Sequence, residues 1–192
     1  MNMARADEMA KQFRGSIIGR LGPEAEKTIF KTKEPPKNSI KRAVWVKEAI
    51  ENLDHTVDEN TRIEIMRGNG INCASHNSRV VSAALARRAE HRTLESFLES
   101  EIRKPPSGTR LERDGESLVL SYLPRMFSHP MRCFCGLVSS LPEDETLSST
   151  YCQCSAAFVE TWWSQVMGKP VNVQLIESAL SGSDKCRFRI TW

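Results

Sequence analysis

The chain has 192 residues, 40% of them hydrophobic and 27% charged, with a formal net charge of +3. That balance fits an ordinary globular protein, and a chain this long buries a core without disulfide staples. The N-terminus MNMARADEMAKQF lacks an apolar h-region and no apolar run approaches bilayer length, which argues against a signal peptide and membrane insertion and makes a cytoplasmic, reducing compartment the default expectation.

The charge is uneven. Residues 1–50 carry eleven Lys and Arg against six Asp and Glu, and the remainder carries sixteen against eighteen. The surplus reads as a solvated, mixed-charge helical surface. No nucleic-acid motif accompanies it, so a nucleic-acid partner is not expected.

Periodicity predicts helices through the first half. A charged helix spans residues 3–20, Gly22-Pro23 breaks it, and a short second helix follows. Pro35-Pro36 is a second break, so residues 1–36 read as an N-terminal helical extension to a domain over 37–192. Asn38 or Ser39 caps a helix with Ile40, Ala43, Val44, Ile50 and Leu53 on its apolar side. Asp54 or Thr56 caps the next, which the Gly-Asn-Gly run at 68–70 is expected to end near Arg67. Asn72 then caps a helix from Cys73 to Ala89, with Val80, Val81, Ala84 and Leu85 apolar. One more short helix covers 93–103.

After Pro105-Pro106 the pattern changes. TRLERDGESLVLSYL predicts a hairpin about Asp114-Gly115. Ser155 is expected to cap a helix running to Met167, with Phe158, Trp162 and Val166 on its buried face, stopped by Gly168-Lys169-Pro170. VNVQLIES and CRFRITW alternate as strands about an SGSDK turn. The fold class is α+β: a helical N-terminal half, then an antiparallel sheet with a packed helix.

Two Cys-x-Cys pairs dominate the chemistry, Cys133 and Cys135 in MRCFCG and Cys152 and Cys154 in TYCQCS. On extended chain, residues i and i+2 point to one side. Two such pairs supply four thiolates, enough for a closed tetrahedral zinc site, with iron the other candidate metal. Redox chemistry and inert buried thiols are the competing readings. Cys73 falls in the first turn of its predicted helix, where the dipole favours a thiolate. His76, three residues on, shares its face, so the two form a candidate nucleophile and base or two ligands. Cys186 reads as a small core residue, and Trp45, Trp162 and Trp163 as core or pocket wall.

The block YCQCSAAFVETWWSQVMGKPVNVQLIESALSGSDKCRFRI resembles the ending of a prokaryotic family similar to L-2-amino-thiazoline-4-carboxylic acid hydrolase-like proteins. That family is related in turn to the 4-vinyl reductase domain and its TRAPP-subunit-like fold. NGINCAS and MRCFCG resemble further cysteine segments of the family, with Asn69 where it often has a Cys and Ala157 where a Gly is common. The resemblance implies an α+β domain with a small-ligand pocket and a cysteine-bound metal. The functional expectation is a sensory or accessory domain binding a small molecule, with zinc on Cys133, Cys135, Cys152 and Cys154 and a pocket at Phe158 and Trp162. The alternatives are a hydrolase of cyclic C–N bonds using Cys73 and His76, or a thiol redox sensor. A homodimer is the assembly allowed for.

Overall fold

The computed structural model describes residues 3–123 and 132–192, so Met131 of the MRCFCG motif lies outside the described residues. Among the described residues, seven α-helices and four strands follow in chain order: α1 Met3–Leu21, α2 Ala25–Ile29, α3 Ser39–Thr56, α4 Glu59–His76, α5 Ser78–Ala89, α6 Leu94–Arg103, β1 Thr109–Asp114, β2 Ser117–Tyr122, α7 Ser149–Met167, β3 Asn172–Glu177 and β4 Cys186–Thr191. The expected α+β class, helical first and antiparallel later, is what forms.

Local chemistry sets most boundaries. Asn38 accepts a hydrogen bond from the Lys41 N–H at 3.0 Å, Asp58 from Thr61 at 3.0 Å and Thr93 from Ser96 at 3.1 Å, each satisfying an amide that the helix leaves unpaired. Gly168 ends α7 in the left-handed region at φ +67°. The β1–β2 hairpin pairs Asp114 with Ser117, which leaves Gly115 and Glu116 as a two-residue loop. Gly115 takes φ +61° there, a conformation that glycine adopts without steric cost.

The sheet order is β1-β2-β4-β3, with every neighbouring pair antiparallel. α7 joins two cores. Its first turns, with Tyr151 and Cys152, pack among α1, α3 and α4 against Phe13, Trp45, Ile50 and Leu53. Its later turns, with Ala156, Val159, Trp163 and Val166, cover Leu118, Leu120, Phe188 and Ile190 of the sheet. Residues 1–36 contribute Ala10, Phe13, Ile17, Ile29 and Phe30 to the first core. A polar tie reinforces the junction. Arg67 of α4 donates to Glu160 of α7 at 2.5 Å, and Glu160 accepts the Val173 N–H of β3 at 3.0 Å.

Asp54 and Thr56 fall inside α3, so the cap of α4 is Asp58 rather than either, and three further sequence expectations change. α3 buries Ala43, Trp45, Val46, Ala49, Ile50 and Leu53, while Ile40 stays exposed. α4 does not end at Gly-Asn-Gly but continues to His76, and the break falls at Asn77. On α5, Val81 and Ala84 are buried but Val80 and Leu85 face outward. The tertiary reason for the second change is Gly70. A Cβ there would stand 2.1 Å from the Cys154 carbonyl oxygen and 2.8 Å from the Ala157 Cβ. The glycine is the point where α4 and α7 touch backbone to backbone.

Candidate functional site

The second Cys-x-Cys pair lies within a helix. α7 begins at Ser149, with the Ser148 hydroxyl accepting from the Thr150 N–H at 3.3 Å, so Ser155 is not its cap. On a helix, residues i and i+2 are about 200° apart around the axis rather than on one side. Cys152 turns into the core, its Sγ 2.9 Å from the Ser178 hydroxyl. Cys154 faces the other way, onto a cavity shared with Cys73 and Cys135. Cys133 and Cys135 sit in a turn, closed by Val138 and Ser139 N–H donating to the Cys135 carbonyl at 3.1 and 2.9 Å. The Cys133 sulfur accepts the Cys135 N–H at 3.3 Å, and the Cys135 sulfur lies 3.1 Å from the Tyr151 hydroxyl. The zinc tetrad expected of Cys133, Cys135, Cys152 and Cys154 is therefore not assembled. Among the described residues, no three His, Cys, Asp or Glu side chains are grouped to hold a metal ion.

Cys73 also changes its setting. It lies in the last turn of α4, where the dipole disfavours a thiolate rather than stabilising one. Burial pushes its thiol up, the neighbouring Cys135 adds to this, and the Asn77 amide opposes it. The Cys73 sulfur accepts from Asn77 Nδ2 at 3.2 Å. His76 Nδ1 instead lies 2.8 Å from the Asn72 carbonyl of its own helix and 3.3 Å from the Ser75 hydroxyl. No hydrogen bond joins Cys73 to His76 among the described residues, so shared face has not become a dyad.

All six cysteines are free thiols. Burial pushes Cys133, Cys135, Cys154 and Cys186 upward, and raises Cys152 to about 12. A neighbouring thiolate would add repulsion, since Cys135 and Cys152 lie within electrostatic reach of both Cys133 and Cys154. The upward shifts favour the neutral thiol, a small and weakly polar group, over the thiolate. Cys186, in the core at the start of β4, accepts the Ala179 N–H at 3.4 Å.

What the elements do enclose is space. A cavity of about 580 Å³ lies between α5 and α7, with Tyr122 at the end of β2 and the Phe134–Gly136 turn as further walls. Phe158 and Trp162, expected as pocket residues, both line it. Val80, left outward by α5, and Phe134 also line it, at 46% and 43% exposure. A smaller cavity of about 90 Å³ adjoins it, lined by Phe13, Met66, Asn69 and Tyr151 among others. Cys73, Cys135 and Cys154 border both, as do Arg5 and Asn77. Arg5 Nη2 donates to Asn77 Oδ1 at 2.5 Å and to the His76 carbonyl at 3.2 Å, which fixes α1 across the α4–α5 break. Sequence reasoning passed over Arg5, Asn77 and Tyr122. Only Asn77 carried a signal, as a residue suited to interrupting a helix.

The model of a family described as "Family of unknown function (DUF6144)" matches residues 21–192. The chain belongs to that family. No curated protein matches it significantly. Two solved structures are similar over nearly the whole chain. One, described as a mutant structure of T. Tengcongensis H-NOX, has 15% identity, a TM-score of 0.44, and coverage of 100% of this chain and 97% of the other. The second, described as "Modulating Heme Redox Potential Through Protein-Induced Porphyrin Distortion", has 14% identity, a TM-score of 0.41, and coverage of 97% and 99%. At these scores the likeness is too loose to carry fold or function across to the DUF6144 chain. Among the described residues, no helix is long and apolar enough to cross a membrane.

Proposed function

We propose that this DUF6144 chain is a small-molecule-binding domain of sensory or accessory type, with its ligand seated between α5 and α7. The observation that carries the reading is the cavity of about 580 Å³ walled by Val80, Tyr122, Phe134, Phe158 and Trp162. That volume lies in the range of ligand sites, and concave apolar walls with a few polar groups are their usual construction. Val80 and Phe134 leave apolar surface open to water, which a bound apolar body would cover. The reading agrees with the pocket that resemblance to the 4-vinyl reductase domain implies.

The hydrolase alternative gains less from the geometry. An attacking thiolate at Cys73 would have to form against burial, beside the Asn77 amide and without His76 as its hydrogen-bonded base.

The test is titration with 4-(1-pyrenyl)butanol, a neutral fluorescent probe, against the wild type and Ala83→Trp. Ala83 lines the cavity from the exposed side of α5, so the larger side chain fills the space without entering the core. Saturable binding by the wild type, weakened about tenfold or more in the variant, is expected, since filling the site removes more than ~1.4 kcal/mol of apolar burial. Absence of saturable binding, or equal binding by both, would overturn the reading.

A further inference from the structure

We infer that the ligand of this cavity is an anion: an apolar, ring-bearing body with one carboxylate or phosphate head placed at the α5 rim, beside Arg79. The inference rests on the binding role proposed above and goes beyond it in fixing the ligand's charge.

The charges facing the cavity are one-sided. Among the described residues, Arg5, Arg79 and Arg87 line it, and no Asp or Glu does. Arg79 and Arg87 stand two helical turns apart on α5, with Ala83 between them, so the i, i+4 spacing presents all three on one face. Their situations differ. Arg87 is neutralised by Glu101, donating to its two carboxylate oxygens at 2.8 and 3.0 Å. Arg5 donates to an amide and a carbonyl, which satisfy its geometry but leave its charge uncompensated. Glu8 is the carboxylate on the adjoining smaller cavity. Arg79 has neither a hydrogen bond nor an ion pair among the described residues. A free guanidinium at the edge of an apolar bowl is a planar, always-charged donor suited to carboxylate or phosphate oxygens.

The opposite wall specifies the body. Phe158 and Trp162 of α7 and Tyr122 of β2 offer aromatic surface. Trp162 is 6% exposed, and its Nε1–H lacks a partner among the described residues. Ring stacking at this wall and an anionic head at Arg79 fit the two ends of one molecule.

The experiment compares three probes with one body: 4-(1-pyrenyl)butanol, 4-(1-pyrenyl)butyrate and 4-(1-pyrenyl)butyl phosphate. At low salt an anion should bind several-fold more tightly than the alcohol, as expected for a charge-assisted pair at an exposed rim. Added salt should shrink that ratio by screening the exposed guanidinium. Arg79→Gln should bring the ratio close to one by weakening the anions far more than the butanol. The order of butyrate and phosphate separates a carboxylate from a phosphate head. Equal affinity for alcohol and anions would overturn the anionic assignment while leaving the cavity reading in place. A preference that survives Arg79→Gln would overturn the role of Arg79. Failure of all three probes would remove the cavity reading itself and this inference with it.

Discussion

Gly70→Ala should destabilise the protein by about 2–3 kcal/mol, and Gly68→Ala, two residues earlier on the same helix, should stabilise it by about 0.5–1 kcal/mol. Alanine is the better helix former, so propensity favours both changes by about 1 kcal/mol. Gly68 has open space where a Cβ would go, and the gain is realised there. At Gly70 the new Cβ would meet Cys154 O at 2.1 Å and Cys154 C at 2.9 Å. These are backbone atoms of α7, which cannot rotate aside as a side chain would. The two helices must separate, and the packing of Met66 and Ala157 loosens on either side. For a chain of this length the loss corresponds to a fall in Tm of about 5–10 °C. Because Cys154 borders both cavities, the pyrenyl probes should also bind Gly70→Ala more weakly. Thermal and urea unfolding of the two variants checks this, and an unchanged or raised stability for Gly70→Ala would sink the close-contact account.

The second large effect is alkaline destabilisation. A thiol whose pKa is raised by folding binds its proton more tightly in the native state. Its contribution is therefore fully present below the unfolded pKa and is lost as pH climbs through the folded one. For Cys152 the ordinary value is 9.0 and the folded one about 12, so the loss spans that window. By about pH 10 it amounts to roughly 1.4 kcal/mol from this group alone. Cys133, Cys154, Cys135, Cys73 and Cys186 shift in the same direction and add to it. Urea unfolding under reducing conditions, at about pH 8 and about pH 10, should show a clear fall in stability, and Cys152→Ala should lose about 1.4 kcal/mol less between them. Equal losses in the wild type and the variant would mean that Cys152 titrates as though exposed. The same protonated state predicts slow alkylation of these thiols in the native protein at neutral pH, since the thiolate is the reacting form.

Arg42 illustrates how a polar residue can hide in an apolar pattern. It is 2% exposed on α3 and is satisfied by Asp7 and by the Pro36 and Lys37 carbonyls at 3.0 and 3.1 Å. Helix periodicity read without it displaced the apolar face toward Ile40, which lies in water. The pattern of hydrophobic residues locates a helix well, but the rotation of that helix depends on which polar groups find partners inside.

Local chemistry by itself determined the α+β class, a cap at Asn38 or Ser39, the hairpin at Gly115, the Gly168 stop and the two terminal strands. Each is decided by side-chain volume, backbone freedom or alternation within a few residues. The packing of Trp162 on the covered face of α7 was also legible, from aromatic residues at helical spacing. Tertiary structure alone decided the rest. Gly-Asn-Gly reads locally as a helix end, yet packing against α7 carries α4 through it, since only a glycine admits the Cys154 carbonyl. Extending α7 back to Ser149 turned a Cys-x-Cys pair that would converge on a strand into two sulfurs facing opposite sides of a helix. Carrying α4 onward moved Cys73 from the favourable end of one helix dipole to the unfavourable end of another. The directions of these side chains in space were set by helix ends, and those ends were fixed by contacts between segments far apart in the chain.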